Sequence, residues 1–336
     1  MHFFIVGAPR CGTTALSRYL KARDDVCFAK PKEPQYFATT DFGGLTPAEL
    51  EAKIRRDYLD RFFHPDTMAA QAYGEGSVSY LYSADAIRTI LDWRPDARFI
   101  VMLRDPLAMI RSYHARLYYL LDEDEADFNT AWRLQDERAA GRRIPGTCRD
   151  SNMLQYGEVA RLGAYTRQLI DIAGGDRVLP LLHDDLRRDP GDVYRRAVEF
   201  IGLPDDGRTE FPRVRASSSF RSRTLQRFLQ RPPEGLIRMA MTTNGGGKTP
   251  GHGLGGTDGK ASRGRISLNP RKLRKRLLAW NTVDRPRGSL SDTTVTDIRN
   301  CLEADVADLA HLIDRDLSHW LHDGITEDNQ GHRAAA

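Results

Sequence analysis

Residues 3–14 read Phe3-Phe4-Ile5-Val6-Gly7-Ala8-Pro9-Arg10-Cys11-Gly12-Thr13-Thr14. The continuous apolar run at 3–6 has the pattern of a short buried strand. Gly7, Pro9 and Gly12 mark a turn, and residues 13–21 place Ala15, Leu16, Tyr19 and Leu20 on one helical face. The chain therefore opens on strand, loop and helix. A turn of this kind aims backbone N–H groups and the positive end of a helix dipole at a single point. Gly12 lets the backbone approach an anion closely, Thr13 and Thr14 add hydroxyl donors, and Arg10 adds a permanently charged planar fork.

The alternation continues downstream. Arg98-Phe99-Ile100-Val101-Met102-Leu103 predicts a second buried strand, followed by Arg104-Asp105-Pro106 and a helix over 107–121. Residues 176–182 predict a third strand, weakened by Pro180, with a helix over 194–201 ended by Gly202 and Pro204. Strands alternating with helices predict an α/β fold, a three-layer doubly wound parallel sheet with helices on both faces. Such sheets place ligands at the carboxyl ends of their strands. Arg104 stands at one such end and Ser112 lies two turns into the next helix, a pair suited to clamp a phosphate monoester. His114, nearby on the same helix, reads as structural.

The 336 residues are 40% hydrophobic and 29% charged, a globular composition with material for a sizeable core. No run of about 18 apolar residues is present, and the N-terminus lacks the basic start and long apolar stretch of a secretory leader. A cytoplasmic protein is expected. Cys11, Cys27, Cys148 and Cys301 are scattered, which predicts reduced thiols and no zinc site. Cys11 falls at a helix N-terminus, where a thiol pKa can be lowered, but reads as a small loop residue rather than a redox group.

The net charge of +4 is unevenly placed, since residues 263–287 hold nine Lys or Arg and one Asp. Basicity is thus local, and no recognised nucleic-acid module accompanies it, so no nucleic-acid partner is expected. Within that stretch, residues 270–280 predict a basic amphipathic helix with Leu273, Leu277 and Trp280 on one stripe. Flanked by Arg271, Lys272, Arg274, Lys275 and Arg276, the stripe suits peripheral contact with a membrane through 263–287. Residues 292–321 predict a last helical region. The chain divides into a core over 1–232, a flexible Gly-rich loop over 233–265, basic and C-terminal helices packing on the core over 266–322, and a disordered tail over 323–336.

The spacing of Gly7, Gly12, Thr13 and Thr14 is that of the nucleotide-triphosphate loop GxxxxGK[ST], with Thr13 where that loop needs its Lys. A P-loop-type nucleoside or small-molecule kinase is therefore the alternative reading. Pro9-Arg10-Cys11-Gly12-Thr13-Thr14 resembles instead the 5'-phosphosulfate loop, P-[KR]-x-G-T-[TS], of sulfotransferases that use 3'-phosphoadenosine 5'-phosphosulfate (PAPS). Arg104, Pro106 and Ser112 resemble the 3'-phosphate motif of the same family. Lys32-Glu33-Pro34-Gln35-Tyr36-Phe37 resembles the KExxFF segment of carbohydrate sulfotransferases such as the heparan 3-O enzymes. Gly74-Glu75-Gly76-Ser77-Val78-Ser79-Tyr80-Leu81 resembles the segment GExSPxYL. The likeness runs from residue 1 to about 205.

The resemblance implies a sulfotransferase and nucleoside-kinase-like fold with a P-loop-like phosphosulfate loop and a helical C-terminal extension. It implies PAPS as co-substrate, PAP as product, no metal, and a hydroxyl on a sugar, lipid or natural product as acceptor. Carried over by position, Arg10, Cys11, Gly12, Thr13, Thr14, Arg104 and Ser112 hold the donor. Glu33 is the general base with Arg10 and Lys32 as catalytic partners, and Lys32, Glu75 and Ser77 line the acceptor side. A hydroxyl nucleophile needs a base within hydrogen-bond reach, and a neighbouring cation steadies developing negative charge. Arg221 or Arg223 is a further candidate to reach the donor.

Overall fold

The computed structural model describes residues 1–63, 70–212, 219–230, 270–283 and 288–321, with side chains from 274 onward in the fourth segment. The Gly-rich loop expected over 233–265 and the tail over 323–336 lie outside the described residues.

In chain order the core comprises β1 (His2–Gly7), α1 (Thr13–Lys21), β2 (Val26–Phe28), β3 (Ala72–Glu75), α2 (Ala84–Trp93) and β4 (Arg98–Leu103). It continues with α3 (Pro106–Leu120), α4 (Leu162–Ala173), β5 (Val178–Leu182), α5 (His183–Arg188) and α6 (Pro190–Phe200). The five strands form one parallel sheet in the order β2-β3-β1-β4-β5. Central β1 buries Phe3, Phe4, Ile5 and Val6 between both helical layers, which is why its sequence is a continuous apolar run rather than an alternating one. Pro180 sits on β5, an edge strand, where a missing N–H costs least.

Parallel crossovers are right-handed. The passage from β1 to β2 and the later passages from β3 to β4 to β5 run in opposite directions across the sheet, so α1 covers one face while α2 and α4 cover the other. α6 packs on α1, and an Arg23 Nη1 to Tyr194 hydroxyl bond of 3.3 Å joins them.

Helix starts follow their capping residues. Asp105 accepts from the Leu107 N–H at 3.1 Å ahead of Pro106. Asp189 caps α6 ahead of Pro190 through the Asp192 N–H at 2.9 Å, starting that helix four residues earlier than its apolar spacing indicates.

Beyond the core come β6 (Ser219–Phe220), α7 (Arg223–Gln230), α8 (Pro270–Asn281), β7 (Thr282–Val283) and α9 (Asp292–Leu312). β6 and β7 pair antiparallel, and α9 packs along α4. The last helical region ends at Leu312 rather than 321; Asp314 then turns left-handed (φ 51°), and Leu317, Trp320 and Leu321 fold back into the core.

Strands β2 and β3 went unread in the sequence because they are only three and four residues long. Their seam with β1 is tight, because Phe3 lies across Gly74 and a Cβ there would stand 2.1 Å from its ring. Gly74→Ala is expected to destabilise the fold by about 1–3 kcal/mol through overpacking, measured as a lowered midpoint in urea denaturation.

Candidate active site

The first loop is pinned before it reaches α1. The Ala8 N–H donates to the Met102 carbonyl of β4 at 2.7 Å. Arg10 and Gly12 then take left-handed backbone angles, φ 66° and 94°. Gly12 is required on two counts, since a Cβ there would also stand 2.8 Å from the Leu186 side chain. No side chain caps α1, so its first-turn N–H groups and its dipole face an incoming anion without a built-in competitor. Thr14 is exposed beside them, while Thr13 is buried.

Cys11 points the other way. Its thiol is buried, and burial pushes its pKa up to about 12 against the opposing pull of Arg104 and Arg10. The lowering that a helix N-terminus can produce is therefore outweighed by desolvation, and the residue serves the loop as packing.

The two anion motifs meet. Because β1 and β4 are neighbours at the point where the strand order reverses, the loops leaving their carboxyl ends flank one crevice. Arg10 Nε donates to Ser112 Oγ at 2.9 Å, and Arg104 Nη1 lies 3.5 Å from the Arg10 carbonyl oxygen. Two guanidinium groups and a hydroxyl thus converge beside the uncapped end of α1. His114 is tied by Nε2 to the Glu125 carbonyl at 2.9 Å, as a structural histidine would be. Arg221 and Arg223 do not reach this crevice through the bonds they make. They donate instead to the Trp280 and Asp124 carbonyls, at 3.0 and 3.3 Å.

His183 is not among the residues the sequence singles out. It immediately follows β5, and its ring packs 3.3 Å from the Gly12 Cβ position. Burial first, and Arg104 second, lower its pKa to about 4, so the imidazole under the loop is neutral at pH 7. Its position just past a parallel strand was the available signal.

The loop carrying Lys32 and Glu33 lies against the other side of the first loop. Lys32 Nζ sits 2.7 Å from Glu33 Oε1 and 3.3 Å from Thr13 Oγ1. The cation missing from position 13 is thus supplied in space from a different loop. The Gly76 N–H donates to the Lys32 carbonyl at 2.9 Å, and the Gln35 N–H donates to Ser77 Oγ at 2.9 Å. A Cβ on Gly76 would stand 2.8 Å from Lys32 Cε, so the lysine stem lies directly over that glycine. Lys32 and Glu33 are partly exposed, whereas Glu75 and Ser77 are sealed beneath them.

Glu75 is fully buried among the Tyr58, Tyr80 and Ser77 hydroxyls, and among the described residues neither carboxyl oxygen gains a hydrogen bond of good geometry. Burial raises its pKa to about 8, with Glu33 adding to the rise and the hydroxyls opposing it. Glu75 is therefore mostly a neutral acid at pH 7, buried beneath the loop that carries Lys32 and Glu33.

Residues 2–207 match the profile of the sulfotransferase family. The chain belongs to the sulfotransferase family. The matching family is one of sulfotransferases and not of kinases. Carbohydrate sulfotransferase 15 from Mus musculus and from Homo sapiens are each 30% identical over the aligned stretch, which covers 38% of this chain. The match spans 28% of the length of those relatives. Among solved structures, a sulfotransferase from Alicyclobacillus acidocaldarius superposes with a TM-score of 0.58 at 21% identity, covering 95% of this chain and 97% of that one. That likeness shows the fold.

The Glu75 carboxyl also makes a stability prediction. Its folded pKa of about 8 lies above the ordinary carboxylate value, so the folded state holds the proton that the unfolded chain releases. Stability contributed by this group is full at acid pH and falls as pH rises from about 4.5 through 8. Glu75→Gln removes the titration, so the variant should gain on the parent by on the order of 3 kcal/mol between pH 4.5 and 8.5. Urea denaturation across that range reads the gain; parallel curves for the two proteins would contradict it.

Proposed function

We propose that this protein transfers a sulfuryl group from PAPS to an acceptor hydroxyl. The carrying observation is the 2.9 Å Arg10–Ser112 bond, which unites the two anion motifs in one crevice beside an uncapped helix N-terminus. The residues present fit the donor: Gly12 leaves room for close backbone approach, and Arg10, Arg104 and Lys32 surround the loop with positive charge. PAPS, when bound, supplies a sulfuryl group carried on a phosphate leaving group.

The geometry supports the following reading of the protein's own part. Arg104 and Ser112 hold the 3'-phosphate and fix register. The α1 N–H groups, Thr14 and Arg10 hold the 5' end and stabilise charge that grows on the leaving phosphate. Glu33, partly exposed at the crevice mouth, takes the acceptor proton. Lys32, between Glu33 and Thr13, steadies negative charge on the acceptor side. Positioning and fixed charge supply most of the catalysis, as in phosphoryl transfer. The acceptor is a hydroxyl of a carbohydrate, lipid or natural product, and the carbohydrate class is favoured by the curated relatives.

Arg104→Ala should weaken PAP binding by about 1.5–3 kcal/mol, the scale of a charged hydrogen bond, as read by calorimetry. An unchanged dissociation constant would remove the clamp. Glu33→Gln should lower turnover by roughly 10²–10⁴ while PAP affinity stays near that of the parent. Sulfated product is followed by mass spectrometry with candidate acceptors, and near-parent turnover in that variant would remove Glu33 as base.

A further inference from the structure

Away from the crevice, α7 and α8 pack on one another as a small appended unit. The described residues 219–230 and 270–283 carry eight Lys or Arg and no Asp or Glu. The side chains of Arg221, Arg223, Arg227, Arg274, Lys275 and Arg276 are exposed, and among the described residues none forms an ion pair. The unit also shows water its largest exposed apolar side chains, Trp280 at 61% and Phe228 at 49%. Leu277 and Leu278 on α8 are half-buried.

Hydrogen bonds and a ring stack, and not burial of these groups, tie the unit together and to the body. Buried Gln226 donates to the Tyr119 carbonyl at 3.0 Å and accepts from Asn281 Nδ2 at 3.0 Å. Arg274 Nε donates to the Leu229 carbonyl at 2.7 Å, and Phe220 stacks on Tyr118 with ring centres 5.1 Å apart. Trp280 lies under Arg221, whose guanidinium is 5.9 Å from the ring centre. Exposed aromatics set among uncompensated cations suit one environment above others, the interface of a bilayer. There rings enter the headgroup boundary while cations meet lipid phosphates and carboxylates.

We infer that the α7–α8 unit docks this protein on an anionic lipid bilayer through Trp280, Phe228 and the surrounding Arg and Lys side chains. An acidic polysaccharide would satisfy the charges but leave Phe228 unexplained, which favours lipid. Docking is peripheral: among the described residues no helix is long and apolar enough to cross a membrane. The inference does not depend on the sulfuryl-transfer reading.

The protein carries its own reporter. Of its four tryptophans, Trp93, Trp132 and Trp320 are buried and Trp280 is exposed. The full chain is mixed with phosphatidylcholine vesicles, with or without phosphatidylserine, and followed by flotation and tryptophan emission. Binding is expected only with phosphatidylserine, falling steeply with salt. Emission should shift to the blue and be quenched by brominated acyl chains. The triple variant R274Q/K275Q/R276Q should lose about a hundredfold in affinity. W280F should still bind but lose the emission shift, with circular dichroism confirming that each variant is folded. Three outcomes overturn the inference: no quenching by brominated lipid, equal binding to neutral vesicles, or unchanged affinity in the triple variant. Binding to dextran sulfate without any vesicle binding would reassign the surface to an acidic polysaccharide and overturn it equally.

Discussion

Phe3, Phe4 and Ile5 on β1 run beside Arg98, Phe99 and Ile100 on β4, and beyond Ile5 the register slips so that Gly7 faces Val101. The Ala8 N–H then closes on the Met102 carbonyl. This parallel seam is the constraint on which the site rests. It turns the first loop toward the end of β4, and it sets Arg10 close enough to Ser112 for their side chains to bond. Without it, two segments about 90 residues apart in sequence would not meet in one crevice.

The second support is the stack beneath the loop that carries Lys32 and Glu33. Main-chain bonds join Lys32 to Gly76 and Gln35 to Ser77, and the buried Glu75 lies below them. Sealing a carboxyl group in this position is costly while it is charged and tolerable while it is neutral. Glu33, a partly exposed carboxyl group on the overlying loop, lies in a wetter setting. Burial thus sets these two glutamates in different surroundings. The same contrast explains Cys11, whose location at a helix start suggested a lowered pKa until desolvation reversed the sign.

A third element, the α7–α8 unit, stands outside this logic. Its charge is one-signed, buried Gln226 ties it to the body, and Trp280 and Phe228 face out while Phe220 and Leu229 are buried. A unit organised only for stability would turn Trp280 and Phe228 inward, because their burial is worth a few kcal/mol. Their exposure is what gives the surface its character.

The sequence by itself determined the strand–loop–helix opening, the β4 strand with Arg104 just past its end, and the start of α8. These are carried by continuous apolar runs, by glycines at turns and by helix spacing, all of which are local. Tertiary structure alone decided the five-strand order, since β2 and β3 are too short to leave a periodic trace and are held by neighbours. It also decided the Arg10–Ser112 contact, the approach of Lys32 to Thr13, the place of His183 under the loop, and which glutamate is buried. Each of these depends on distances between segments remote in the chain and on exclusion of water. A linear pattern records neither.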